Sequence, residues 1–332
     1  MILDNKIILI TGGTGFLGRA LAKYFCENYK GIKKLIVFSR DEHKQFLMSQ
    51  EFSKENHPFI EYIIGDVRDR NRLIEVFEGV DYLIHAAAMK HVPISENNPT
   101  ECIKTNIGGA ENVIYAAKFN NISKIVALST DKASSPINIY GATKLTSDKL
   151  FISANGKIAN NDIKYSVVRF GNLMGSSDSV IPLFLKKKEQ GFLPITDPKM
   201  TRFNTLLEEA VAMVIFALQN TWGGEILVPK TPSYQLKDLA NAIAPNIEHR
   251  IIGVRQGEKI HEEMISSSDS YNTYDIGSYY SILPQITNWD LNKYIKHFNA
   301  QKVEEGFIYS SLNNKELLTV EELKNLIVNL NK

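Results

Sequence analysis

Between Leu128 and Lys144 the chain reads LSTDKASSPINIYGATK, which places a hydroxyl (Thr130), a carboxylate (Asp131), two amines (Lys132 and Lys144) and a phenol (Tyr140) within a few turns of chain. These are the groups of proton transfer, and an ordinary core does not call for them, because buried polar groups without partners are costly. Tyr140 and Lys144 are four residues apart, so a helix would show both on one face. A free phenol has a pKa of about 10, too high for a base at neutral pH, and a neighbouring ammonium favours the phenolate. Such a phenolate can take the proton of an alcohol while a hydride leaves its carbon.

The elements that must hold these groups alternate in kind. Strands are expected at 7–10, 34–38, 59–64, 82–85, 124–128 and 165–169, and helices at 16–28, 70–77, 100–119 and 140–154. Strands alternating with helices predict an α/β fold, a Rossmann-like doubly wound parallel sheet that binds ligands at the carboxyl ends of its strands. The first strand runs into TGGTGFLG, which sets Gly12, Gly15 and Gly18 three apart, with Thr14, Phe16 and Leu17 between them, on a strand, turn and helix. That is the place for a dinucleotide pyrophosphate, since glycine lets the backbone approach and the helix N-terminus offers unpaired N–H groups. The second strand ends in Ser39 and Arg40, with Lys44 beyond; an arginine there accommodates a 2'-phosphate and favours NADP over NAD, while Asp41 keeps NAD open. Asp66 and Val67 follow the third strand, where they can cap an adenine. Ala86, Ala87 and Ala88 follow the fourth and leave room for a cofactor, and the adjoining His85 reads as structural.

Composition restricts the classes of function. The 332 residues carry 38 Lys+Arg against 37 Asp+Glu, so no global charge attracts nucleic acid or an anionic membrane. Cys26 and Cys102 have no metal-ligand spacing and read as core thiols. No apolar run is long enough for a membrane helix and the N-terminus is not a signal peptide, so the expected location is cytoplasmic. The expected division is an NADP-binding domain over 1–170 and, over 171–332, a smaller mixed substrate lobe with segments that return to the main sheet.

Taken with the glycines, Tyr140-x-x-x-Lys144 resembles the extended short-chain dehydrogenase/reductase family. Within it, the Asp131-Lys132 pair, HAAAMKHVP, NPTECIKTNIGGAENV, PITDPKMTRF, GGEILVPK, GVRQGEKIHEEMI and YSSLNN resemble the UDP-N-acetylglucosamine 4,6-dehydratases (inverting). Relatives that retain configuration at carbon 5 carry Met in place of Tyr140. The resemblance implies a hydro-lyase reaction that gives UDP-2-acetamido-2,6-dideoxy-β-L-arabino-hex-4-ulose, the first step of pseudaminic acid biosynthesis for protein glycosylation. It also implies a homo-oligomer.

By the same resemblance Tyr140 and Lys144 oxidise carbon 4, Thr130 bonds the 4-oxygen, Lys132 takes the carbon 5 proton and Asp131 protonates the leaving 6-hydroxyl. Lys90 and Asn106 would lie near the nicotinamide ribose, and Lys90, Lys132, Asn172, Arg202, Arg255 and Glu258 would hold the UDP-sugar. These roles require desolvation to lower the pKa of Lys132 and raise that of Asp131. Ser177 and Asp178 stand where the family usually has Arg-Gly. A 4-epimerase or reductase shares the tyrosine chemistry without needing Asp131-Lys132, and a non-catalytic NADP sensor would need neither pair.

Overall fold

The computed structural model describes residues 3–155, 163–176 and 179–330; Ser177 and Asp178 lie outside them. The apolar runs of the first half form β1 (Ile7–Thr11), β2 (Lys34–Ser39), β3 (Ile60–Ile64), β4 (Tyr82–His85), β5 (Lys124–Thr130) and β6 (Lys164–Phe170). They pair in parallel in the order β3-β2-β1-β4-β5-β6. Near-continuous Ile, Leu and Val suit strands covered on both faces.

The sheet continues past β6. Ile226–Pro229 adds a parallel strand, and Tyr279–Ile282, Thr273–Asp275 and Gln301–Lys302 extend it antiparallel to ten strands. On one face Leu21 and Phe25 of α1 (Phe16–Asn28) pack with Met213 and Val214 of the helix Leu207–Asn220. A second core, with Leu73, Val113 and Phe151, covers the other face. A third, around Phe184, Leu193, Leu239 and Leu323, lies wholly within the later half. Among the described residues no helix is long and apolar enough to cross a membrane.

Some helical segments depart from expectation. α2 (Glu42–Glu51) was not anticipated, because it buries only Gln45 and Met48 and so has almost no apolar stripe. After α3 (Arg70–Val76) comes an unexpected α4 (Val92–Asn97), and the single helix expected over 100–119 is instead α5 (Pro99–Ile103), a wide π turn at Lys104–Gly108 and α6 (Gly109–Phe119). Pro93 and Pro99 each start a new helix because proline suits a first turn, and the π turn carries the buried Asn106 inward. α7 (Ile139–Ala154) follows β5.

The strand order reverses between β1 and β4, whose last residues Thr11 and His85 lie side by side. Thr11 Oγ1 meets His85 Nδ1 at 2.8 Å, and the buried ring packs against Phe151. Burial, with Lys144 nearby, pushes the imidazole pKa down to about 3, so His85 is neutral and joins two strand ends.

Candidate active site

At that switch point opens a cavity of about 510 Å³. Its floor is the turn between β1 and α1. Gly12 has φ +66°, and a Cβ there would sit 2.8 Å from the Ala87 Cα, so the glycine and the alanine run after β4 fit as one surface. Helix α1 starts at Gly15 with no side-chain cap and no acidic residue in its first turn, which leaves N–H groups for an anion. Gly12, Thr14, Gly15, Phe16, Leu17 and Gly18 all line the cavity, as do Ala86, Ala87 and Ala88. These features fit a dinucleotide pyrophosphate.

Ser39, Arg40, Lys44, Asp66 and Val67 form one end of the cavity. β2 closes on the hydroxyl of Ser39, which accepts from Gln45, and no carboxylate occupies that position. Asp41 is committed elsewhere: its Oδ1 accepts from the Lys44 N–H and caps α2, and Oδ2 lies 3.5 Å from Lys44 Nζ. Arg40 is exposed, 3.8 Å from Asp66. Asp66 also accepts three bonds from Nε and Nη2 of the Arg68 guanidinium. Burial raises the Asp66 pKa, but the Arg68 bonds and the charges of Arg68 and Arg40 outweigh it and hold the carboxyl below its ordinary value.

The proton-transfer groups gather at the carboxyl end of β5. Thr130 Oγ1 donates to Asp131 Oδ1 at 3.0 Å, and Lys132 Nζ donates to the same oxygen at 3.0 Å. Asp131 is fully buried, and its Oδ2 has no partner. α7 is pressed against this turn: Asn138 caps it through the Gly141 N–H, and a Cβ on Gly141 would collide with the Lys132 carbonyl at 2.1 Å. That contact places Tyr140 beside Thr130 and Lys132. Burial pushes the phenol up to about 12, opposed by Lys132 and a hydrogen bond with Thr130. The cation chiefly acting on the phenol is therefore Lys132 rather than the expected Lys144. Lys144 is buried, its pKa lowered by burial against the pull of Asp148.

The electrostatics of Lys132 overturn one expectation. Burial does lower its pKa, but Asp131 and Glu262 together outweigh burial, so the ammonium is held above its ordinary value. Asp131 is raised, first by burial and against Lys132. Glu262 was not singled out in the sequence. It belongs to a distant segment of the chain yet places Oε1 3.2 Å from Lys132 Nζ. Asp148 was also missed, although its position one turn past Lys144 was a usable signal. It accepts from Ser129 at 2.7 Å and pairs with the buried Arg169 at 3.4 Å.

The other expected residues divide. Lys90 and Asn172 line the cavity, and Asn172 Oδ1 is buried without a partner. Asn106 does not line it: its amide is spent on the Met89 N–H and carbonyl, where it holds the loop after β4. Arg202, Glu258 and Arg255 are off the cavity wall too. Arg202 bonds the Thr201 and Ile260 carbonyls and Glu258 Oε1, and Arg255 is exposed.

Residues 8–284 match the family described as "Polysaccharide biosynthesis protein". A relative in Campylobacter jejuni subsp. jejuni serotype O:2, named UDP-N-acetylglucosamine 4,6-dehydratase (inverting), is 51% identical over 98% of both chains. One in Rickettsia bellii, named UDP-glucose 4-epimerase, is 42% identical over 98% of this chain and 96% of its own. Among solved structures, Pen from Bacillus thuringiensis superposes with a TM-score of 0.90 at 37% identity, covering 100% of this chain and 99% of that one. DesIV, a dTDP-glucose 4,6-dehydratase from Streptomyces venezuelae with NAD and TYD bound, shares the fold at a TM-score of 0.67 and 21% identity, covering 76% and 86%.

Proposed function

From the premise that this chain belongs to the polysaccharide biosynthesis protein family, within the extended short-chain dehydrogenases/reductases, we propose that it is a UDP-N-acetylglucosamine 4,6-dehydratase that inverts carbon 5. The observation that carries this reading is the buried Thr130-Asp131-Lys132 cluster meeting Tyr140 in the cavity that the glycine turn floors. Oxidation of carbon 4 alone needs a tyrosine; removal of water from carbons 5 and 6 also needs a base and an acid, and Lys132 and Asp131 supply both types.

A bound nicotinamide would take up the carbon 4 hydride and return it at carbon 6, held by the glycine turn, Ser39, Arg40, Asp66, Val67 and the alanine run. Tyr140 removes the proton of the 4-hydroxyl, whose oxygen Thr130 also contacts. The resulting ketone makes the carbon 5 proton acidic. Lys132, once it has shed the proton that Asp131 and Glu262 favour in the substrate-free site, takes the carbon 5 proton, and Asp131 protonates the departing 6-hydroxyl. Delivery of a proton to the opposite face of carbon 5 inverts it. Lys90 and Asn172 face the sugar; Arg202, Arg255 and Glu258 are kept for the UDP moiety on family likeness alone.

NADP is the cofactor in this reading, because β2 ends without a carboxylate and Arg40 stands beside the cavity. A cytoplasmic homo-oligomer serving pseudaminic acid biosynthesis completes it, supported by family likeness. Arg40→Ala is expected to weaken NADP(H) relative to NAD(H) by about tenfold or more, the scale of a lost charge-assisted hydrogen bond of about 1.5–3 kcal/mol. NADPH and NADH fluorescence titrations of both proteins measure this, and an unchanged ratio would remove Arg40 from the site.

The Rickettsia relative supports a second reading, a 4-epimerase, which shares Tyr140 and Lys144. Proton NMR of the protein with UDP-N-acetylglucosamine and NADP+ in deuterated water separates the two. A 4-keto-6-deoxy product with deuterium at carbon 5 and the L-arabino configuration is expected. The D-xylo configuration would replace inversion with retention, and UDP-N-acetylgalactosamine without a 6-deoxy signal would select the epimerase.

A further inference from the structure

Lys132 is gripped from two sides. Its Nζ lies 3.0 Å from Asp131 Oδ1 and 3.2 Å from Glu262 Oε1, and neither carboxyl has more than marginal access to solvent. Two buried carboxylates share this one ammonium, and burial favours a proton on whichever of them has the weaker further compensation. The two are not equivalent. Glu262 also faces Arg202 Nε at 3.9 Å and the charge of Lys259. Asp131 leans on Lys132 and the Thr130 hydroxyl. Each keeps a buried second oxygen without a partner, but Asp131 lines the cavity whereas Glu262 does not.

We propose that Glu262 is a positioning residue for the loss of water: its carboxylate, fixed by Arg202, anchors Lys132 and keeps the shared proton on Asp131, ready for the leaving hydroxyl. The proposal rests on the dehydratase reading given above. The surrounding groups agree with it. Glu258 is taken by Arg202, His261 by Thr201, Glu263 by Ser134 and Ser135, and Lys259 by the Ser134 carbonyl; Tyr140 and Tyr234 are the phenols that complete the shell. Burial raises the Asp131 carboxyl and Glu262 adds to the rise, whereas Lys132, Arg202 and Lys259 overcome burial and hold Glu262 low.

The test is the pH profile of 6-deoxy product formation in wild type, Glu262→Gln and Glu262→Asp. Removing a negative charge lowers the pKa of both neighbours, so both limbs for Glu262→Gln should move to lower pH, by on the order of one unit. Glu262→Asp keeps the charge and should keep the limbs at a lower height. A Glu262→Gln profile with unmoved limbs and only reduced height would reduce Glu262 to a scaffold and overturn the proposal.

Infrared difference spectra of substrate-free wild type against Asp131→Asn test the same point even where Glu262→Gln does not fold. A protonated-carboxyl band from Asp131 near neutral pH is expected, and its absence overturns the proposal. Should wild type make no 6-deoxy sugar at all, the dehydratase reading fails, while the band still reports where the proton sits.

Discussion

Replacing Tyr140 by Phe should lower turnover of UDP-N-acetylglucosamine by roughly 10³–10⁴-fold, the upper part of what a positioned base contributes. The phenol is the group beside Thr130 that can accept the 4-hydroxyl proton, and phenylalanine keeps its ring while removing its oxygen. Every later step depends on the ketone, so neither deuterium at carbon 5 nor reduced nicotinamide should form beyond that residual rate. The phenol starts at about 12, pushed there by burial. A base is active when deprotonated, so wild-type activity should rise with pH towards the phenol's working pKa. Since Lys132 opposes the upward push, Lys132→Met should move that rise to higher pH. Rapid-quench NMR with absorbance at the reduced-nicotinamide band checks both statements. Wild-type production of reduced nicotinamide by Tyr140→Phe would show that another group takes the proton.

Asp131→Asn divides the reaction differently. Asparagine is nearly isosteric and can still meet Thr130 and Lys132, but it cannot give a proton to a leaving hydroxyl. Loss of water should fall about 10²–10⁴-fold. Oxidation at carbon 4 should persist, because Tyr140 and Lys144 are untouched. The expected result is a single-turnover accumulation of reduced nicotinamide with a 4-keto sugar that keeps its 6-hydroxyl. Exchange of the carbon 5 proton should continue through Lys132. A 6-deoxy product at the wild-type rate would take the acid role from Asp131 and leave a solvent molecule to fill it.

The parallel half of the fold was legible because buried parallel strands are written as compact β-branched runs, and helix α1 spans the residues its periodicity marks. α2 was illegible for the opposite reason, having little apolar face to read. The groups between Leu128 and Lys144 were legible as chemistry because one turn and one helix carry them all, and they do share one cavity. Glu262 was not, since its meaning comes from a fold that brings it to Lys132 from a distant segment. Charge gave a misleading expectation there: burial alone would neutralise the lysine, but a second carboxylate reverses the sign. Asn106 failed differently, because a π turn spends its amide on Met89. Arg202 lies close to the reacting groups, through Glu262, although it does not line the cavity.

The order of strands also sets a schedule for synthesis. β6 is buried along nearly its whole length, and its outer edge is paired by Ile226–Pro229, roughly 56 residues further along the chain. At ribosomal rates of about 5–20 residues per second that edge waits several seconds for its neighbour. Until then the nascent chain presents an open strand edge rich in apolar side chains, the kind of template to which other chains add. Chaperone capture during synthesis, or aggregation in its absence, should therefore concentrate in the interval between emergence of β6 and emergence of Pro229.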